Sequence, residues 1–316
     1  MAKSLRAVLF LVGMTCMCLV GQEGWAQYPN KPITFIMPIG AGGSTDVACR
    51  PLVTAASKIL GQPINMDYHP GGSFAVGMGV LKGKAPDGYT IGMTAASAII
   101  NEHMRKVNYN TQKDFTQVMN YGVGAFGFVV RADSPWKTLP EFLAYVKAHP
   151  GTIRYSSSGP GDTASLIFRA LSNKLQLKMT EIPFEGGPPA VAALLGNHVE
   201  ALTGTMLSKP HIQAGTLRLL ATYGAKRVPS FPDAPTLVDL GYDLVVPSAF
   251  WVLGPKGLPP QIVETLHQAF KKAMDDPDFI KASETVDYLL QYLGPQDTAK
   301  NIDRISRVVE EALQKK

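Results

Sequence analysis

The sequence predicts an α/β fold arranged as two lobes. Three observations carry that expectation. Short runs rich in β-branched and aromatic residues alternate with stretches of helical period. The alternation runs through twice, before and after about residue 125. Each half also has one loop rich in Gly and Ser between a strand and a helix, at 38–46 and 156–163.

In the first half, residues 33–37 (ITFIM) form a strand. Residues 47–60 form a helix, with Leu52, Ala56, Ile59 and Leu60 on one face and Gly61 as its stop. A strand at 64–67, a helix from Gly71-Gly72 to Lys82 and a strand at 89–93 follow. That order implies a parallel sheet with right-handed crossovers. The second half has strands at 125–130, 152–156, 180–183, 198–203 and 217–222. Helices are predicted at 139–148, 188–195 and 206–213, and another places Ala164, Ile167, Leu171 and Leu175 on one stripe. Residues 228–248 are irregular and Pro-rich, and 249–253 is again a strand. Two amphipathic helices close the chain, one through Ile262, Val263, Leu266, Phe270 and Ala273, the other through Ile302, Ile305, Val309 and Leu313. The expected lobes are 27–125 plus 229–316 and 126–228, with a cleft between them suited to a small ligand.

Composition agrees with globular domains. Of 316 residues, 46% are hydrophobic and 17% charged, which supports a core without disulfide or metal staples and excludes intrinsic disorder. The N-terminus stands apart. Lys3 and Arg6 precede an uncharged apolar run at 7–20, shorter than the roughly 17–25 residues a membrane helix needs. Gly24 and Ala26 then supply the small residues of a cleavage site. Residues 1–26 are therefore expected to be a secretory signal peptide, and the mature chain to be soluble outside the cytoplasmic membrane. Removing them leaves 28 basic and 24 acidic residues, a net charge of +4, and Cys49 as the one cysteine, which forms no internal disulfide.

The first loop, Gly40-Ala41-Gly42-Gly43-Ser44-Thr45-Asp46, lets the backbone approach a ligand at a helix start. Unpaired N–H groups and the helix dipole there suit a carboxylate or phosphate. Ala41, Gly43, Ser44, Thr45 and Asp46 are the candidate ligand contacts, with Asp46 as helix N-cap. An ordinary capped turn is the alternative. The second loop offers Ser157, Ser158, Gly159, Gly161, Asp162 and Thr163 in the same setting. Two such loops facing across a cleft would hold an anion without an arginine. A third loop adds Ser73 and Phe74, and 94–97 is a weaker candidate. Phe74 and Trp251 are candidate aromatic walls, with core packing the alternative for either.

Catalytic readings find little support. His69, His103, His149, His198, His211 and His267 form no metal-binding spacing. There is no G-x-S-x-G elbow, no P-loop lysine and no third glycine for a dinucleotide fingerprint. Basic residues are dispersed, which disfavours nucleic acid. No catalytic residue, metal or cofactor is predicted.

Further pieces complete a pattern. Tyr28-Pro29-Asn30-Lys31-Pro32-Ile33, Pro70-Gly71-Gly72 and Ala85-Pro86-Asp87-Gly88-Tyr89-Thr90 flank the first loop. Pro183-Phe184-Glu185-Gly186-Gly187-Pro188-Pro189-Ala190, Gly196-Asn197-His198-Val199-Glu200, Ala214-Gly215-Thr216-Leu217-Arg218 and Pro232-Asp233-Ala234-Pro235-Thr236 follow the second. In this order and spacing the chain resembles the solute receptors of the tripartite tricarboxylate transporters, the Bug family of periplasmic binding proteins. The resemblance implies a two-lobed periplasmic-binding-protein type II (Venus flytrap) fold that catalyses no reaction. It implies a small organic carboxylate, mono- or dicarboxylate, held between the lobes through the two glycine loops and ordered waters, then delivered to a membrane permease. A monomer is expected. Four features depart from the family pattern: Glu185, Glu200, Phe74-Ala75 in place of a polar residue, and Pro51 inside a helix. Phe74 favours a more apolar or aromatic ligand, and Pro51 a kink. Two other classes stay open, an exported α/β hydrolase and a ligand-binding sensory or accessory protein.

Overall fold

The structure, a computed structural model, describes residues 28–314 apart from 160, 246 and 247, with 311–314 as backbone. The expected signal peptide lies outside the described residues, as does the side chain of Leu313.

The first sheet has six strands: β1 (Ile33–Met37), β2 (Ile64–Tyr68), β3 (Thr90–Ala95), β4 (Phe115–Gly124), β10 (Phe250–Pro255) and β11 (Tyr288–Leu293), in the order β11-β4-β10-β3-β1-β2. The second has five: β5 (Phe126–Arg131), β6 (Arg154–Ser157), β7 (Thr180–Pro183), β8 (Ala201–Thr205) and β9 (Leu217–Thr222), in the order β7-β6-β8-β5-β9. Central strands read as continuous apolar runs because helices cover both faces. In β1, Ile33, Phe35, Ile36 and Met37 are all buried.

The expectation of a parallel first sheet is only half met. β1 runs parallel to β2 and β3, but β10 runs antiparallel to β3 and β4, and β11 antiparallel to β4. In the second sheet β6 is parallel to β7 and β8, while β5 is antiparallel to β8 and β9. The cause is the crossing between sheets. β4 passes into β5 at Ala125. A chain that leaves one sheet at the end nearest the other returns at that same end, so β10 runs against its neighbours. Gly124 N donates to Ser248 Oγ at 3.0 Å, tying the outgoing strand to the returning segment.

The helices are α1 (Ser44–Leu60), α2 (Ala75–Lys82), α3 (Ala96–Met104), α4 (Leu139–Ala148), α5 (Thr163–Lys174), α6 (Gly187–Leu195), α7 (Lys209–Gln213), α8 (Pro260–Ala273), α9 (Pro277–Thr285) and α10 (Pro295–Gln314). α1 begins three residues before its expected start and ends at Gly61, whose φ of 69° is left-handed, as predicted. Asp46 is not its N-cap. Gly43 is, and Asp46 sits in the first turn. α1 runs on past Pro51 without interruption, although Pro51 has no N–H to give the ladder. Four elements were not anticipated: α3, β4, α9 and β11. α3 follows β3 directly, with no Gly, Pro or Asn at the junction to mark a boundary.

Candidate functional site

One cavity of about 230 Å³ lies between the sheets. It sits at the carboxyl ends of the parallel strands, where ligands collect in open α/β sheets. β1, β2 and β3 each lead into a helix there, α1, α2 and α3, and β6 and β7 lead into α5 and α6. The N-cap residues of these five helices are Gly43, Phe74, Ala95, Asp162 and Gly186, and all five line the cavity. Five positive dipole ends therefore lie at the wall of one cavity. No Lys, Arg or His is among the described residues that line it.

Of the candidate contacts read from sequence, Ala41, Gly43, Ser44, Thr45, Ser73, Phe74, Ser158, Gly159, Asp162 and Thr163 line this cavity. Four others are elsewhere. Asp46 is buried behind the first loop, where Oδ2 accepts from Gly42 N at 2.8 Å and Arg50 at 2.7 Å, and Oδ1 from the Tyr68 hydroxyl at 2.6 Å. Those bonds fix the loop's shape. Ser157 turns into the second lobe and donates to Glu181 at 2.6 Å. Gly161 packs on α3, where an added Cβ would come within 2.6 Å of Asn101 Oδ1. Trp251 is wholly buried in a cluster with Ile99, Ile100, Ile302 and Ile305 under α10.

The two sides touch across the cleft. Ser44 Oγ lies 2.6 Å from Thr205 Oγ1, and Ser97 Oγ 3.1 Å from Thr163 Oγ1. Asn101 Nδ2 donates to Gly72 O at 2.9 Å and also to Ser73 O, pinning the third loop to α3. Asp162 Oδ1 accepts from Ser165 N at 2.7 Å and so caps α5, and Oδ2 is buried as well. Burial pushes the Asp162 carboxyl up to about 7, against the amides of Ser165, Ser158 and Ala164, and the Glu181 charge adds to the rise.

Sequence reasoning missed several lining residues: Thr205, Phe126, Ser248, Phe250 and the stretch from Phe184 to Pro189. Thr205 was hidden by a strand end placed at 203; β8 continues to Thr205. Phe184 to Pro189 had a visible signal, a Gly-Gly-Pro turn between strand and helix like those of the two glycine loops.

Two α/β sheets facing each other across a cleft rimmed by helix N-termini define a bilobal solute-binding receptor. The family model for the tripartite tricarboxylate transporter family receptor matches residues 48–315, and the chain belongs to that family. It is 39% identical over 274 residues to a UPF0065 protein in the gbd 5′ region of Cupriavidus necator, covering 87% of this chain and 84% of that one. It is 31% identical over 260 residues to the protein BugT of Bordetella pertussis, covering 81% and 80%. A solved structure described as a periplasmic transporter superposes with a TM-score of 0.86 at 31% identity, covering 91% of this chain and 98% of that chain. MatC from Rhodopseudomonas palustris with bound malate superposes with a TM-score of 0.83 at 25% identity, covering 90% and 99%. The family and the bilobal fold implied by the sequence motifs are thus borne out.

Proposed function

We propose that this protein captures a small organic carboxylate between its two lobes in the periplasm and hands it to the membrane permease of a tripartite transporter. The convergence of five helix N-termini on one cavity carries the reading. Each such end favours an anion by about 0.3–1 kcal/mol when exposed and up to about 2 kcal/mol when partly buried. The malate held by the related MatC supports the ligand class. The lobes are 27–125 plus 229–316 and 126–228, hinged where β4 meets β5 and along 228–248. The ten lining residues foreseen from sequence, with Ser97 and Thr205, form the binding surface. Residues 1–26 act as the export signal, the mature chain is a monomer, and binding occurs without turnover.

Thermal-shift screening of the purified mature protein against a carboxylate panel tests this. A ligand at 100 times its dissociation constant stabilises by about 2.7 kcal/mol. A shift with sugars or amines and none with any carboxylate overturns the anion site. Release of product from carboxylate esters overturns binding without turnover.

A further inference from the structure

We infer that Glu181, on β7, is a positioning residue for the second loop: it clamps the strand end before that loop to the helix turn after it. The inference rests on the carboxylate-receptor reading and adds to it a residue that stands behind the site.

The sheet register brings Glu181 to this place. β6 and β7 run parallel, with Tyr155 opposite Glu181 and Ser157 opposite Pro183. Side chains alternate along a strand, so Tyr155 and Ser157 share the face on which Glu181 projects. Ser156 takes the other face and donates to Ala190 O at 3.0 Å. On the shared face one oxygen, Glu181 Oε1, accepts from Ser157 Oγ at 2.6 Å and from Ser165 Oγ at 2.5 Å. The Tyr155 hydroxyl donates to Oε2 at 3.3 Å.

The two serines bracket the loop. Ser157 is the last residue of β6, and Ser165 lies in the first turn of α5. Between them Ser158, Gly159, Asp162 and Thr163 line the cavity. Glycine leaves the backbone many conformations, so a loop with Gly159 at φ 142° and Gly161 needs ties from outside to keep one shape. Both serines are wholly buried, and each gives its single hydroxyl hydrogen to Glu181. Bonds to a carboxylate are among the stronger ones, and a buried hydroxyl deprived of its acceptor is costly. The first lobe has a matching construction. Asp46, behind its loop, accepts from Gly42 N and from the Tyr68 hydroxyl. An acid and a tyrosine thus brace the ligand loop of each lobe from behind.

The test is amide hydrogen exchange of the purified mature protein without ligand, followed by calorimetry with acetate, succinate, malate and benzoate. Glu181→Ala is expected to speed exchange across 158–164 by about tenfold, and to weaken each of the four acids that the parent binds by about tenfold. Exchange in β9, at the far edge of the same sheet, is expected to stay as in the parent. Glu181→Gln keeps an acceptor oxygen and is expected to remain within about threefold of the parent in both measurements. In a Ser157→Ala/Ser165→Ala background the donors are gone, so adding Glu181→Ala is expected to change little. Exchange across 158–164 in folded Glu181→Ala equal to the parent's overturns the inference, and so does Glu181→Gln as impaired as Glu181→Ala. If Glu181→Ala does not fold, the serine double variant decides: a loop as protected as the parent's overturns the inference. A parent that binds none of the four acids overturns the carboxylate-receptor reading, while the exchange comparison still decides whether Glu181 braces the loop.

Discussion

Asp162 combines two tasks: its side chain caps α5, and the residue forms part of the cavity lining. Its neighbours are Glu181, Tyr155 and Tyr223, with both tyrosines pushed upward by burial and so neutral. The carboxyl titrates near 7 in the folded protein and near 3.9 in an unfolded chain. Between those values the folded state holds the extra proton, so stability falls as pH rises through this window. The limiting slope for one group is about 1.4 kcal/mol per pH unit. Asp162→Asn retains a capping oxygen and removes the titration. Its urea midpoint is therefore expected to gain on the parent from pH 4.5 to 7.5. Parallel curves for the two proteins would count against the buried acid. A bound carboxylate raises the Asp162 pKa further, so affinity is expected to weaken above pH 7, read by calorimetry at pH 6 and 8.

Among the elements, the short helix α2 is wedged against the loop it helps to shape. A Cβ on Gly77 would stand 2.6 Å from the Pro38 Cα and 3.2 Å from His69 O. Both neighbours are backbone, so neither yields by a side-chain rotation. Gly77→Ala is expected to destabilise by about 1–3 kcal/mol and to displace the first loop, lowering carboxylate affinity as well. A chemical-denaturation midpoint equal to the parent's would refute that packing. The loops themselves were legible because Gly, Ser and Asp mark strand-to-helix turns whatever the tertiary fold. The unanticipated elements lacked such marks. β4 has Gly122 and Gly124 in its last turn of sequence and no clean alternation, because helices and neighbouring strands bury most of its length. Asp46, Ser157 and Trp251 show the other limit. Residue type and loop membership suggest contact with a ligand, but whether a side chain points into the cleft depends on which strand or helix lies behind it. For Trp251 that is α10, some fifty residues further along the chain.

At the scale of the whole molecule, the two sheets are joined by more than the crossing strands. Lys209 Nζ, at the start of α7, donates to Asp287 Oδ1 at 2.9 Å, Ser230 Oγ at 2.7 Å and Glu284 O at 2.5 Å. The ion pair is largely shielded, with side-chain exposures of 12% and 5%. Removing one partner of a shielded pair strands the other, at about 3–5 kcal/mol for a fully buried case. Lys209→Met is expected to lose stability toward that range, and adding Asp287→Leu to recover much of it. Urea unfolding of the single and double variants decides this; a double variant as weak as the single would show that the charge pair was not the cause.

The single-residue passage at Ala125 has a consequence for the order of assembly. Every strand of the second sheet lies between residues 126 and 222, so that sheet is complete in one stretch of chain. The first sheet needs β10 in its middle and β11 at its edge, and β11 ends at Leu293. A chain emerging from its N-terminus thus finishes its inner, later-starting unit first, while β3, already paired with β1, waits for its other partner β10 more than 150 residues further on. The half-built first sheet, with the edge of β3 open, is the vulnerable species during synthesis. Pulse proteolysis of nascent chains arrested near residue 265, with β9 clear of the ribosome and β10 still inside it, should find 126–222 protected and 28–124 cut.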